Sequence, residues 1–346
     1  TTYGTGTIKG TVRYDNNTGA DNVSVSFAKS GTFADNTTTA DNGTYTQDNL
    51  SLGTYTISFT KSGFNDASMS ATLATDNQTV NANVTLLANT CSAGTVSGKI
   101  TNAVTSANID NASINARSGL NVTSGSTTGT TTTATNGTYT LSSMSAGGYT
   151  VEVSKSGYIT TYFNVNVCDD LTNQNASVSA NLSSGSMRIV LTWPSGSTAR
   201  DLDTHLQIPD NASSTFHVYY PSSKKIFYYA KNTYTCSSCS SDQLSDNVTL
   251  DRDTTTAPGT ETITITKVRS GTYSYSVHDY TNKGTSSSTK LAQSGASVKV
   301  YYNNTTTAFN VPNSAGTLWR VFTFTNSGGL SATNTMTHQS TPGSVY

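Results

Sequence analysis

The chain contains one sequence pattern twice, and this repeat limits the folds that it can adopt. Residues 42–64 read NGTYTQDNLSLGTYTISFTKSGF, and residues 136–158 read NGTYTLSSMSAGGYTVEVSKSGY, 94 positions later. An earlier pair, GTIKGTV at 6–12 and GTVSGKI at 94–100, is 88 positions apart. The second copy is therefore longer by 94 − 88 = 6 residues, which we place in the threonine-rich segment 125–135. The repeat predicts two consecutive units of about 90 residues each.

Within each copy the apolar residues recur with a period of two. Tyr55, Ile57 and Phe59 alternate with threonine and serine, and the second copy repeats the alternation. This pattern is typical of a half-buried strand in an antiparallel sheet. Asn-Gly and Gly-Gly pairs separate the strands as turns, because glycine tolerates positive φ. A unit of this length with about seven short strands has the size of an immunoglobulin-like sandwich.

The composition agrees with a sheet protein on an outer surface. Charged residues make up 11% of the chain, and the net charge is −1. This balance favours neither a nucleic-acid partner nor a membrane surface, and no apolar run is long enough to be inserted in a membrane. A chain that begins at Thr1 fits removal of a secretory signal. We therefore expect an extracellular or cell-surface location.

The two copies resemble the carboxypeptidase regulatory-like family. The residues that carry the resemblance are G-T-I-K-G-T-V, D-N-G-T-Y-T, L-G-T-Y-T-I-S-F and K-S-G-F in the first copy, with matching segments in the second. The resemblance covers roughly residues 4–180 and implies a transthyretin-type β-sandwich for each copy. It says little about function, since such modules serve as spacers in many secreted proteins.

A third block, residues 187–326, resembles an uncharacterised C-terminal domain of bacterial secreted and surface proteins. The matching segments are R-I-V-L-T-W, D-L-D-T-H-L, P-G-T-E-T-I-T-I, G-T-Y-S-Y-S-V-H-D-Y and T-L-W-R-V-F. The resemblance implies another β-sandwich, with an irregular aromatic insertion at 216–246. The predicted fold class is all-β, with three tandem immunoglobulin-like β-sandwich domains that form a rod. The predicted domains are 1–89, 90–184 and 185–330, followed by a polar tail at 331–346.

Acidic residues in the third block suggest a cation site. The segment DLDTHL, 201–206, places alternate residues on one face of a strand, and LDRD ends at Asp253. The candidate ligands are Asp201, Asp203, Asp251, Asp253 and Glu261. Carboxylate oxygens that converge from two segments suit a hard cation, and we predict structural Ca²⁺. A solvated acidic edge and a transition-metal site that uses His205 are the alternatives.

The four cysteines predict two disulfides in an oxidising environment. Cys91 opens the second repeat and Cys168 lies near its end. A bridge between them closes a loop of about 78 residues, which contributes about 4 kcal/mol in the chain-entropy model. Cys236 and Cys239 form C-x₂-C without a second pair or a nearby histidine pair, so a short disulfide is favoured over zinc or a redox pair.

Other motifs give weaker predictions. Four of the N-x-[ST] sequons are possible glycosylation sites: Asn42, Asn136, Asn211 and Asn247. The alternative is that asparagine is simply a turn residue in this chain. No motif of a hydrolase, zinc protease or nucleotide-binding loop occurs, and His278 is interpreted as a strand-end residue, so we expect no enzyme.

Two functions from different classes fit these features. The first is an extracellular structural protein, a subunit of a cell-surface fibre that binds copies of itself through strand edges and termini. The second is a surface adhesin whose third domain binds cell-surface glycans or a host protein through Trp193, Trp319 and the tyrosine-rich segment 219–234. We expect both tryptophans to lie in core strands, which favours the structural protein. An accessory domain of an enzyme is a third, weaker hypothesis.

Overall fold

The computed structural model describes residues 4–194, 199–209, 215–222, 224–229 and 235–345. The predicted all-β fold class is confirmed: the described chain forms 26 strands, with one short helix, α1 (Ser241–Ser245), and one 3-10 helix (Pro342–Ser344). No helix among the described residues has the length and apolar character needed to cross a membrane.

The first repeat forms two sheets. The first sheet contains β1 (Thr5–Arg13), β4 (Thr44–Ser51), β7 (Thr79–Asn81) and β8 (Val84–Thr85). The second has the order β3-β2-β5-β6 and contains β2 (Ser24–Lys29), β3 (Thr32–Thr38), β5 (Gly53–Thr60) and β6 (Ala67–Leu73). The core between them includes Ile8, Phe27, Ile57 and Phe59, so the residues predicted to face inward do so.

The second repeat has the same arrangement. One sheet has the order β11-β10-β13-β14 and contains β10 (Ser113–Ser118), β11 (Gly129–Thr132), β13 (Gly147–Ser154) and β14 (Thr161–Val167). The other strands are β9 (Gly94–Asn102), β12 (Thr138–Met144) and β15 (Ala176–Val178). Strand β9 pairs antiparallel with β12 and parallel with β15, as β1 pairs antiparallel with β4 and parallel with β7.

The repeated motif residues meet at one point in each copy. Gly10 lies opposite Tyr45 in the β1–β4 ladder, and the Tyr45 hydroxyl donates to the Ala82 carbonyl at 2.6 Å. A Cβ on Gly10 would lie 2.1 Å from that carbonyl oxygen, so only glycine admits the neighbouring chain. In the second copy Gly98 lies opposite Tyr139, whose hydroxyl donates at 2.6 Å to a carbonyl, here that of Gln174. The repeated sequence therefore forms the same contact in each copy: a glycine lies opposite a tyrosine, and the tyrosine hydroxyl donates to a backbone carbonyl.

The last part of the chain forms two larger sheets. The six-stranded sheet has the order β19-β20-β21-β16-β23-β24, with β16 (Met187–Trp193), β19 (Lys225–Phe227), β20 (Asn247–Arg252), β21 (Gly259–Ile265), β23 (Ser297–Tyr302) and β24 (Thr305–Asn310). The five-stranded sheet has the order β18-β17-β22-β25-β26, with β17 (Leu202–Pro209), β18 (Thr215–Val218), β22 (Thr272–Asp279), β25 (Leu318–Thr325) and β26 (Gly329–Thr337). Residues 331–337, predicted as tail, are thus part of a sheet.

Contacts along the chain define two compact units. The first contains the described residues up to Lys99, with Ile109–Ser156 and Thr160–Gln174. The second contains Ile100–Asn108, Gly157–Ile159 and the described residues from Asn175 onward. Short segments of the second repeat therefore pack with the two large sheets. Within the second unit, for example, the Thr262 hydroxyl donates to the Ala103 carbonyl at 2.7 Å.

Candidate metal centre

Strands β17 and β22 place polar side chains on the face of the five-stranded sheet that points away from its core. Leu202, Leu206 and Ile208 belong to the core, so alternation along β17 puts Asp203, His205 and Gln207 on the opposite face. All eight residues of β17 are nevertheless buried. The outer face of this strand is therefore covered as well, and its polar residues are shielded from water.

The last residues of the chain form part of this cover. The Gln207 side-chain amide donates to the Val345 carbonyl at 3.0 Å, and His278 Nε2 lies 2.8 Å from the Gln339 carbonyl. The chain therefore leaves β26 and returns over the outer face of its own sheet.

Three of the five predicted ligands converge. Carboxylate oxygens of Asp203, Asp253 and Glu261 all lie within 4.8 Å of one another. Glu261 comes from β21 and is buried, and its Oε2 accepts from the Thr204 backbone N–H at 2.6 Å. We call Asp203, Asp253 and Glu261 the acidic cluster. They come from β17, from the residue that follows β20, and from β21.

Asp201 and Asp251 lie outside the acidic cluster. Burial has the largest effect on Asp201 and raises its pKa. The nearby charges of Asp253 and Asp279 raise this pKa further. Asp251 is placed elsewhere: its Oδ2 accepts from the Thr264 hydroxyl at 2.5 Å, and it lies near Arg188. Asp251 therefore interacts with two residues of its own sheet, the Thr264 hydroxyl and the Arg188 guanidinium.

The acidic cluster is electrostatically unfavourable by itself. Burial, with Asp201 and Asp253 nearby, raises the pKa of Asp203 to about 7. Burial and the charge of Asp203 also raise the pKa of Glu261 well above its ordinary value. A bound cation would compensate this charge, and Ca²⁺ at the acidic cluster stays a prediction.

Histidines adjoin the same aspartate. Asp203 pairs with His278 across the β17–β22 ladder, and His205 lies two residues farther along β17. One carboxylate oxygen of Asp203 and one ring nitrogen of each histidine lie within 4.8 Å of one another. Burial lowers the pKa of both imidazoles, so the neutral forms are favoured. His278 was not among the predicted ligands, although the alternation in GTYSYSVHDY places it on the polar face.

Comparison with known proteins characterises the first half of the chain. Residues 7–87 and residues 95–183 each match the carboxypeptidase regulatory-like domain. The expected resemblance of the two repeats is confirmed. No curated protein sequence matches the chain significantly. The similarity of residues 187–326 to a C-terminal surface-protein domain stays a prediction.

Several solved structures resemble parts of the chain. A streptococcal ancillary pilin is 17% identical, with 52% of this chain and 64% of that chain covered and a TM-score of 0.22. The Bacillus anthracis TIE protein is 11% identical, with 90% and 49% covered and a TM-score of 0.23. The shaft pilin SpaA of Lactobacillus rhamnosus GG is 15% identical, with 51% and 98% covered and a TM-score of 0.22. The chain thus spans less than two thirds of the first two proteins, and TM-scores this low do not indicate a shared overall arrangement.

Both predicted disulfides are formed. Cys91 and Cys168, with Cα atoms 4.6 Å apart, connect the start of the second repeat to the segment after β14. Cys236 and Cys239 are also paired, with Cα atoms 5.3 Å apart. The described chain has no free cysteine.

The candidate glycosylation sites differ in accessibility. Asn42 and Asn136 are exposed at equivalent turns of the two repeats, and each side-chain oxygen accepts from the backbone N–H and the hydroxyl of a threonine two residues later. Asn247 is buried, and its amide nitrogen donates to the Leu244 carbonyl at 2.9 Å. The folded chain therefore does not present Asn247 as a glycan acceptor. Asn211 lies outside the described residues.

The two tryptophans lie in the core, as expected. Trp193 and Trp319 are 2% and 0% exposed. They cannot form an exposed platform for a glycan. Within the described part of segment 219–234, Tyr220 and Tyr229 are exposed.

Proposed function

We propose that the protein is an extracellular structural protein, a subunit of a cell-surface fibre that assembles with copies of itself through β-strand edges. The observation that carries this proposal is the character of two outer strands in the second unit. Strand β26 is the last strand of its sheet, has nine residues, and reads GLSATNTMT without a charge or a proline. An outer strand offers unpaired backbone N–H and C=O groups to another chain.

The outer strand of the other sheet has the same character. Strand β24 reads TTTAFN, also without a charge, and most of it is exposed. Proteins that remain monomeric commonly protect such edges with lysine, proline, bulges or cover. The β25–β26 ladder has one register shift, between Arg320 and Phe322, but neither β24 nor β26 carries a charge. Two uncharged edges in one unit support assembly. The two disulfides support an extracellular location, because such bonds persist in oxidising compartments.

The adhesin hypothesis loses its main residues, because Trp193 and Trp319 are buried. Binding of cell-surface glycans or a host protein through other residues stays a prediction, and no enzymatic activity is part of the proposal.

The test introduces charge at the β26 edge. Ser331 and Thr335 are exposed on this strand, and we expect Ser331→Lys/Thr335→Lys to abolish fibre formation. The matched control is Ser270→Lys/Ser287→Lys, which adds the same charge at exposed positions outside the strands of the same unit. The measurements are negative-stain electron microscopy and sedimentation velocity, with circular dichroism to verify folding. Filaments that persist in the edge variant, or a wild-type protein that stays monomeric in material taken directly from its source, would contradict the proposal.

A further inference from the structure

A compact group of three buried side chains lies on the outer face of the five-stranded sheet. Asp203 and His205 come from β17, and His278 comes from the neighbouring strand β22. The two imidazole rings are 5.7 Å apart between centroids and nearly perpendicular, at 87°. His205 is 1% exposed and His278 is 0% exposed. We call Asp203, His205 and His278 the histidine cluster.

The protonation of His278 follows from its hydrogen bond. His278 Nε2 lies 2.8 Å from the Gln339 carbonyl oxygen, which can only accept, so Nε2 carries the hydrogen and donates it. In the neutral ring, Nδ1 then has a lone pair. None of the described residues gives this nitrogen a hydrogen-bond partner, although it is buried. A backbone carbonyl that fixes the far nitrogen in this way is the usual support of a metal-binding histidine.

His205 has an equivalent arrangement. Its Nδ1 lies 2.9 Å from His217 Nε2, and the His217 ring stacks on Tyr219 with centroids 4.0 Å apart. In the tautomer in which His205 Nδ1–H donates to His217 Nε2, Nε2 of His205 has the lone pair that a metal ion takes. His205 Nε2 is also buried without a partner among the described residues. Native proteins rarely leave buried polar atoms unpaired, so two such atoms in one cluster require an explanation.

A metal ion accounts for all of these features. We propose that His205 Nε2, His278 Nδ1 and a carboxylate oxygen of Asp203 bind one Zn²⁺ ion. Two imidazole nitrogens and one carboxylate are zinc ligands, whereas Ca²⁺ takes oxygen ligands in greater number. The dication also offsets the negative charge of the acidic cluster, of which Asp203 is a shared member. Three protein ligands leave the fourth tetrahedral position to water.

This site is distinct from the predicted calcium site, although Asp203 is common to both. Zn²⁺ uses the two histidines, and Ca²⁺ would use Asp253 and Glu261. The ligand type therefore separates them in an experiment. The site is also independent of fibre assembly, because it lies on the face of the sheet and not on its outer strand.

The experiment uses the full chain after dialysis against a chelator. Zn²⁺ is titrated by calorimetry, and Co²⁺ is used as a spectroscopic substitute whose visible absorption reports coordination geometry. We expect one equivalent of Zn²⁺ to bind and Co²⁺ to give an intense tetrahedral spectrum. His278→Gln and Asp203→Asn are each expected to weaken Zn²⁺ binding by at least about tenfold, the scale on which changes at such sites act. Asp242→Asn is the matched control, because Asp242 is exposed and outside the histidine cluster.

The unmodified protein also gives a test that does not require a folded variant. X-ray absorption of the Zn²⁺-loaded chain is expected to show two imidazole ligands. Failure of the wild-type chain to bind Zn²⁺, a spectrum without imidazole ligands, or folded His278→Gln and Asp203→Asn variants that bind as tightly as Asp242→Asn would each overturn the proposal. Fibre formation is measured separately, so the two proposals can fail independently.

Discussion

Each repeat contains a hydrogen bond from a buried tyrosine hydroxyl to a backbone carbonyl, and removing one oxygen atom tests its contribution to stability. Tyr45→Phe retains the buried ring, which packs edge-on against Phe59 with centroids 5.8 Å apart. The change removes only the hydroxyl that donates to the Ala82 carbonyl at 2.6 Å. Tyr45 and Ala82 are both buried, so water does not replace the lost donor without disturbing the core.

The expected cost follows from that burial. Leaving a buried acceptor without its donor lowers the free energy of unfolding by about 1–3 kcal/mol. With a urea dependence of about 2 kcal/mol per M, a loss near the middle of this range moves the midpoint by about 1 M. The equivalent Tyr139→Phe variant is expected to show a smaller loss, because its hydroxyl donates at the same distance of 2.6 Å to the carbonyl of Gln174, which is only partly buried.

Tyr14→Phe is the matched control in the same unit. The Tyr14 hydroxyl bonds to the Asp21 carboxylate at 3.1 Å, but the Asp21 side chain is 46% exposed and water can take the place of the hydroxyl. We expect a loss below about 0.5 kcal/mol for this variant. Far-UV circular dichroism in urea measures the unfolding. Fluorescence identifies the transition of the second unit, since both tryptophans of the chain, Trp193 and Trp319, lie there. Equal losses for Tyr45→Phe and Tyr14→Phe would refute the argument from burial.

Four further outcomes are expected. Replacing Cys91 and Cys168 by serine should lower the free energy of unfolding by about 4 kcal/mol, because the bridge spans 77 positions, and urea unfolding checks this. Gly98→Ala should cost about 1–3 kcal/mol by the same assay, since the new Cβ would lie 2.1 Å from the Gln174 carbonyl oxygen. Ca²⁺ added to chelator-treated protein should raise the melting temperature of the second unit, and Glu261→Gln should remove that increase; an unchanged wild-type melt would contradict the calcium prediction. Glycopeptide mass spectrometry of native protein should find no glycan at Asn247, whose amide is buried and hydrogen-bonded.

The strands that carry the repeat could be predicted because their pattern is local. Alternation in 53–60 is confirmed by the inward positions of Tyr55, Ile57 and Phe59, and the Asn-Gly pairs lie at turns with Gly43 and Gly137 at positive φ. The sequence also indicates that the two copies have equivalent strands and turns. Periodicity and turn chemistry are properties of neighbouring residues, so they can be read without the fold.

The parallel strand in each repeat could not be predicted in this way. Strand β7 has only three residues, Thr79–Asn81, and none of them is fully buried. Its pairing with β1 depends on where the chain crosses after β6, and on Gly10, which leaves room for the approach. Nothing in the short polar sequence distinguishes it from a loop. Its place is set by long-range contacts that local propensity does not contain.

At the candidate metal centre, too, the local sequence does not determine which acidic residues come together. Alternation correctly places Asp203 and His205 on one face, but the partners of Asp203 come from β21 and β22 and from the end of β20. Asp251 satisfies the same sequence pattern and yet lies with Arg188 and Thr264. Spacing along one strand gives the face, whereas the sheet order decides which carboxylates meet.

The histidine cluster was missed for a further physical reason. A polar face on an alternating strand is ordinarily read as solvated, and the chain supplies no local sign that its own end returns to cover that face. In the structure the backbone carbonyls of Gln339 and Val345 bond to His278 and Gln207, and the covered side chains become buried and polar together. Buried polar groups are costly unless they are paired. A covered polar face with too few hydrogen-bond partners is therefore better evidence for a ligand site than an exposed polar face. The two imidazole nitrogens that have no hydrogen-bond partner among the described residues are the observation on which the proposed Zn²⁺ site rests.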